Sequence, residues 1–328
     1  MLGSLLLLTL VSLAACAAIG SVPVPLARLP GALAELLHDT PRSLDATLLA
    51  LRLGRVASAF VTGASLALAG VMMQALLRNP LADPYILGIS GGAAAGALGT
   101  MLLASALWAV ELGAFAGALA ISLLLYLLAR RDLKGGIAQE GGNALLLLTG
   151  VILSSGCMAL VTLMLSLAPQ GQLRGMVFWM MGDLTATTPS WPPWLLLAAA
   201  SVVALRLARP INIVALHADT AITLGVPVGA LRRNLFICCS VLTASAVASA
   251  GSIGFVGLIV PHACRFALGP DHRLLLPAAT LAGGLFLVIA DTLARTLAAP
   301  QQLPVGVITA FVGVPVFLLQ LHRARRIR

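Results

Sequence analysis

The dominant pattern along this chain is a succession of long apolar runs interrupted by short polar or turn-forming stretches. Runs long enough to cross a bilayer, which takes roughly 20 residues per helix, fall at 2–20, 56–77, 85–107, 110–129, 144–168, 191–208, 234–250, 253–268, 274–294 and 305–321. The pattern predicts an all-α polytopic membrane protein of ten spans, with residues 1–328 forming one transmembrane domain. Two runs are irregular: 85–107 is rich in glycine, and 253–268 is short and interrupted by Pro261. Residues 23–55 form the longest loop on one side. Their leucines at 26, 29, 33, 36 and 37 are spaced for a surface helix. Residues 209–233 form the longest loop on the other side. Within it, 216–224 reads as a short helix stopped by Gly225 and Pro227, a natural contact for a partner protein.

Composition removes the alternatives. Of the 328 residues 60% are apolar and 9% charged, where a soluble domain has about 45–50% and about 25%. A soluble enzyme, a disordered chain and a disulfide scaffold are excluded. The net charge of +9 comes with only 5% aromatic residues, so no basic patch is interleaved with stacking rings and nucleic acid is not an expected partner. Cysteines 16, 157, 238, 239 and 264 are odd in number, and four lie in apolar runs, as packed thiols do.

Charge placement orients the chain. With ten spans, one side collects 14 of the 20 basic residues and 5 of the 11 acids, the other 6 of each. By the positive-inside rule the first side is cytoplasmic and holds both termini. Residues 13–16 look like a lipoprotein cleavage box, but the start of the chain lacks a basic n-region. The first run is therefore expected to be a membrane helix, its bare start suggesting a short cytoplasmic segment upstream.

Candidate chemistry is sparse. Gly88-Ile89-Ser90-Gly91-Gly92 fits the G-x-S-x-G nucleophile elbow, but it opens a span and lacks partner residues, so it reads as small-residue helix packing. A Walker A loop needs Lys followed by Ser or Thr, whereas the single lysine, Lys134, precedes Gly135. Any ATP-driven step must reside on another polypeptide. His262 and Cys264 alone do not make a metal site. No ionisable side chain falls in the middle of a span, which argues against an ion-coupled secondary transporter, the runner-up reading. Asp291 and Arg295, near a helix end, are spaced to pair. Gly63, Ala67 and Gly70 in the second span, and Ser245, Ala248 and Ser249 in the seventh, mark close helix contacts. The two spans enter from opposite sides and resemble each other faintly, as an inverted repeat would.

Several stretches together resemble the permease subunit of ATP-binding-cassette importers for iron–siderophore complexes, haem and cobalamin. They are residues 51–55 (LRLGR), 74–84 (QALLRNPLADP), 178–182 (FWMMG), 254–262 (GFVGLIVPH), 271–273 (DHR) and 303–309 (LPVGVIT). The resemblance implies a type II ABC importer permease in the bacterial inner membrane. It also implies a homodimer with two cytoplasmic ATPase subunits, which bind the ATP and magnesium, and a periplasmic substrate-binding protein. No catalytic residue, metal or cofactor would belong to the permease itself. Arg52, Arg55 and Arg295 match the family's outward arginines that meet acidic residues on the binding protein. Asn79 and Leu81 match its cytoplasmic gate, and the fifth and tenth spans would line the path. Leu216, Asp219, Thr220, Ala221, Leu224 and Gly225 match the helix that couples to the ATPase. Here the chain departs from the family: His217-Ala218-Asp219 replaces the usual Gly-Glu, and Ile222 replaces an arginine. Gly54 stands where proline usually separates the outer arginines.

Overall fold

In a bilayer each backbone N–H and C=O must be satisfied within its own segment, so apolar runs become helices. The computed structural model describes residues 2–38, 41–104, 106–134, 142–185, 190–216 and 218–326, and every regular element among them is helical. In chain order these are α1 (Leu2–Ala18), α2 (Leu29–His38), α3 (Leu44–Leu77), α4 (Ile89–Leu103), α5 (Leu107–Lys134), α6 (Gly142–Leu167), α7 (Gln170–Met180), α8 (Pro192–Leu216), α9 (Ala218–Thr223), α10 (Val228–Ala250), α11 (Val256–Leu268), α12 (His272–Thr296) and α13 (Val305–Arg326). Each predicted run has its helix. α3, α5, α6, α8, α10 and α12 are individually long and apolar enough to cross a membrane, and α1, α4, α11 and the apolar part of α13 are shorter. The two irregular runs are the short helices α4 and α11, which start after residues in the left-handed region, Gly88 (φ 79°) and Phe255 (φ 71°).

The main departures concern where helices begin and end. α3 starts at Leu44, well before the expected 56, because Ser43 caps it: its Oγ accepts from the Ala46 N–H at 3.1 Å, and Asp45 occupies the first turn. Segment 23–55 is therefore largely helical. The surface helix α2 packs on α3 through Ala32, Ala46 and Leu49. Arg52 and Arg55 lie on α3 itself. Likewise α8 continues through Arg209 and Pro210 to Leu216, and α10 begins at Val228. The 209–233 loop shrinks to α9 and its flanking turns. α7 had no counterpart in the apolar pattern.

α3 is the centre of the bundle. Of its most apolar stretch 89% is buried, and α10, α11 and α12 pack around it. Against α11 and α12 the approach is backbone to backbone. A Cβ on Gly70 would overlap the Gly257 carbonyl oxygen, and one on Gly63 would overlap that of Gly283. The α4–α5 pair repeats the device, with Gly92 against Gly117 and Gly96 against Gly113. This explains the G-x-S-x-G match. Gly88 supplies the left-handed turn into α4, Gly92 the close approach, and no strand precedes them. α3 and α10, the two faintly similar spans, are in direct contact.

α3 ends at Arg78 in the left-handed region (φ 50°), and a short polar link leads to a 3-10 turn at Pro84–Leu87. Asp83 caps that turn, its Oδ1 accepting from the Tyr85 N–H at 2.8 Å. The Tyr85 hydroxyl in turn accepts from the Ile253 N–H at 3.1 Å, tying the link to the start of α11. Burial pushes the Asp83 carboxyl up to about 6, against the opposing pull of the Tyr85 N–H.

Two predictions follow from this packing. Gly70→Ala should lower the thermal midpoint of the purified chain by an overpacking cost of about 1–3 kcal/mol. Gly3→Ala, with nothing within 4 Å of the added carbon, should leave it unchanged. The Asp83 carboxyl holds its proton more tightly folded than unfolded. Its contribution to stability is thus full below the ordinary carboxylate range and lost as the pH rises through about 6. Asp83 as a residue is half-buried, and between these two pH values only part of the shift acts, so the chain should be more stable at pH 5 than at pH 7.5 by on the order of 1–2 kcal/mol from this group. Asp83→Asn, which keeps the cap, should flatten that part of the profile in a thermal-melt series.

Candidate functional site

The outward arginines expected from the sequence converge on one end of the bundle. Asp291 on α12 sits between two of them: Arg55 Nη2 approaches its Oδ1 at 2.8 Å, and Arg295 Nε approaches its Oδ2 at 3.1 Å. Arg55 Nε donates to the same carboxylate at 2.9 Å, while its Nη1 donates to Gln302 Oε1 at 2.7 Å. Arg295 Nη2 donates to Thr292 Oγ1 at 3.1 Å. Arg52 is separate: its guanidinium donates to the carbonyls of Ala18 (2.8 Å) and Val22, closing the end of α1 onto α3. Two cations on one carboxylate leave the cluster with a net positive charge. Arg52 and Arg295 are buried, at 7% and 4% exposure, and Arg55 is the one that reaches the surface. Reversal of Arg52 or Arg295 would therefore break packing as well as any surface contact, so the three are not an interchangeable set. Sequence spacing could show the Asp291–Arg295 pair but not Arg55, which lies 236 residues from its partner.

Near the opposite end, the gate residues sit in the link after α3. Asn79 Oδ1 accepts from the Leu81 N–H at 2.9 Å, and its backbone N–H donates to the Gln74 carbonyl at 3.1 Å. Asn79 is half-buried and Leu81 exposed. The short helix expected at 216–224 is α9. It is closed by Gly225 (φ 77°), whose N–H donates to the Ile222 carbonyl at 3.0 Å, while the Val226 N–H donates to that of Ala221 at 2.9 Å. Ala221 is buried, and Ile222 and Leu224 are exposed at 53% and 64%. Ile222 on this six-residue helix and Leu224 just after it thus leave two large apolar side chains exposed. His217 lies outside the described residues, as do the side chains of Leu216, Asp219 and Thr220.

Between these ends, an apolar cavity of about 610 Å³ opens beside α13. It is lined by Met181, Ser252, Gly306, Phe311, Val314 and neighbours, with no ionisable side chain among the described lining residues. Met181, just after α7, lines it: Gly306 meets the Met181 carbonyl and Gly251 that of Trp179, fixing the 178–182 motif against α10 and α13. α6 does not line this cavity, and its apolar side chains face outward along much of its length. Among the described residues no group of three or more His, Cys, Asp or Glu side chains converges.

The whole chain has close relatives. It is 40% identical over 318 residues to the cobalamin import system permease protein of Halobacterium salinarum, covering 94% of this chain and 82% of that one. It is also 40% identical over 289 residues to the hemin transport system permease protein of Yersinia pestis, covering 85% and 84%. Its structure superposes on a solved inward-facing metal-chelate type ABC transporter with a TM-score of 0.81 at 28% identity, covering 98% of each chain. With residues 5–323 matching the FecCD transport family, this multi-pass membrane protein belongs to that family.

Proposed function

We propose that the chain is the permease subunit of an ATP-driven importer that carries a metal chelate of the cobalamin or haem class, iron–siderophore complexes included, into the cell. The observation that supports this most is full-length likeness to permeases that carry such cargo. The geometry is in keeping with it. The apolar cavity beside α13 offers a bulky chelate weak contacts and no fixed charge, which suits passage better than retention, since tight binding along a path slows release.

In this reading residues 1–328 act as one transmembrane domain in the bacterial inner membrane. The arginine-rich side, with both termini, faces the cytoplasm. Two copies pair, with the path between them lined by the fifth and tenth spans (α6 and α13). Two ATPase subunits hold ATP and magnesium and push on α9, where Ile222 and Leu224 supply the apolar contact and Gly225 lets the chain turn back. The link at Asn79 and Leu81 closes the cytoplasmic mouth. At the other end the Asp291 carboxylate holds Arg55 in place beside the surface, so that it meets an acidic residue of a periplasmic binding protein already oriented. Arg52 and Arg295 act mainly by fixing the helix ends around it.

Two outcomes test this. Reconstituted in liposomes, the permease should accumulate cobalamin or haem only with the ATPase subunits and ATP. Accumulation driven by an ion gradient without them would refute the reading. Arg55→Gln keeps a donor for Asp291 and removes the charge. It should reduce binding-protein-stimulated ATP hydrolysis at least about fivefold in a complex that still assembles. Arg52→Gln and Arg295→Gln should instead reduce the yield of folded chain. Undiminished stimulation in Arg55→Gln would remove the docking role.

A further inference from the structure

A second cavity, of about 340 Å³, lies at the arginine-rich end between the last turn of α3, the last turns of α8, the first turns of α10 and the end of α11. Arg78, Arg232 and Arg265 line it, together with Gln74 and His272, and no carboxylate is among its described lining residues. The balance differs from that of the Asp291 cluster, where the acid is built in. Arg232 is buried at 7% exposure. His272 is buried too, its Nδ1 2.7 Å from Asn212 Oδ1.

Arg265 carries the argument. Its Nη2 donates to Gln74 Oε1 at 3.0 Å. Gln74 is itself held by its Nε2, which lies 3.4 Å from the carbonyls of both Gly257 and Leu258. The guanidinium is thus fixed in place. Its Nη1 is buried and has no hydrogen-bond partner among the described residues. A buried charged donor without an acceptor is costly, and here it borders a cavity walled by two further guanidiniums. We propose that this cavity is a binding site for a phosphate oxyanion, taken from the headgroup of an anionic phospholipid or from inorganic phosphate. Phosphate matches the site because a tetrahedral oxyanion offers several acceptors at once to guanidinium forks. Basic pockets between membrane helices are also where anionic headgroups lodge. At about 340 Å³ the cavity exceeds the space a phosphate itself occupies. Its walls come from α8 and α10, the two helices that α9 connects, so an occupant would brace both legs of that connection. An effect on transport rests on the functional reading above; the binding does not.

The test uses the full chain purified in neutral detergent, with the thermal midpoint as readout. Three additions are compared: sodium phosphate against sodium chloride at matched ionic strength, short-chain phosphatidylglycerol, and phosphatidylcholine of the same chain length. At least one phosphate-bearing anion should raise the midpoint above its control. A response to both inorganic phosphate and phosphatidylglycerol would mark an open oxyanion site, and a response to phosphatidylglycerol alone a headgroup site. In Arg265→Gln the concentration needed should rise about tenfold, the loss of one charge-assisted bond. Arg78→Gln changes an exposed side chain, so it keeps the test decisive should Arg265→Gln fold poorly, and it should weaken the response in the same direction. No shift with either anion, an equal shift with phosphatidylcholine, or an undiminished response in Arg78→Gln would overturn the proposal.

Discussion

Helices in lipid gain little by burying leucine, because the surrounding acyl chains are equally apolar; association depends on how closely backbones approach. The bare backbone along α3 meets that requirement. Gly63 sits against the Gly283 carbonyl of α12 and Gly70 against the Gly257 carbonyl of α11, so both neighbours are fixed to one helix. At 34 residues, α3 is roughly 50 Å long, well beyond the roughly 30 Å hydrocarbon core. It therefore carries functional groups out of the apolar layer in both directions. Arg52 and Arg55 emerge near one end, Gln74 and Arg78 at the other. A shift of α3 against α11 or α12 would move both ends together, and a rigid axle of this kind suits a device whose two mouths must not open at once.

Legibility in the sequence follows the range of the interactions. Ten apolar runs became ten helices because hydropathy is local and the bilayer demands internal hydrogen bonding. Helix ends were less readable. Ser43 and Asp45 are a good N-terminal signal for α3, but they lie before Arg52 and Arg55, and a hydropathy reading discounts charged turns that extend past the membrane. α7 was missed for a related reason: Gln170, Gln172 and Arg174 interrupt its apolar residues, and only Met176 is buried. The 178–182 motif that follows it was visible, but its role was not, because Gly182 and Met181 acquire meaning only against Ser252 and Gly306.

The charged sites show the same limit more sharply. Asp291 and Arg295 are one helical turn apart and announce themselves, whereas Arg55 joins them across most of the chain. Gln74, Arg232 and Arg265 look like three unrelated polar residues near span ends until α3, α10 and α11 bring them to one cavity. Resemblance to a family could point to Arg55 but could not say that Arg52 and Arg295 are buried, since a motif records residue identity and not exposure.

The two ends of the bundle treat buried positive charge differently, and the difference has an energetic logic. Guanidiniums withdrawn from water need partners close by. Near one end the chain supplies them: Asp291 for Arg55 and Arg295, backbone carbonyls for Arg52. There every guanidinium has a carboxylate or a carbonyl beside it, although Arg295 Nε meets Asp291 as an ion pair without a hydrogen bond. At the other end Arg265 shares only one of its terminal nitrogens with the described residues, and no carboxylate is among the described residues that line the cavity. A buried donor with no acceptor among the described residues can take one from an anion that arrives. It lies where α8 and α10 lead into α9, the segment on which the ATPase is proposed to act. Stiffness is thus placed where orientation matters, and responsiveness where motion begins. The cavity beside α13, with no ionisable side chain among its described lining residues, is the part of the proposed path that carries neither set of charges.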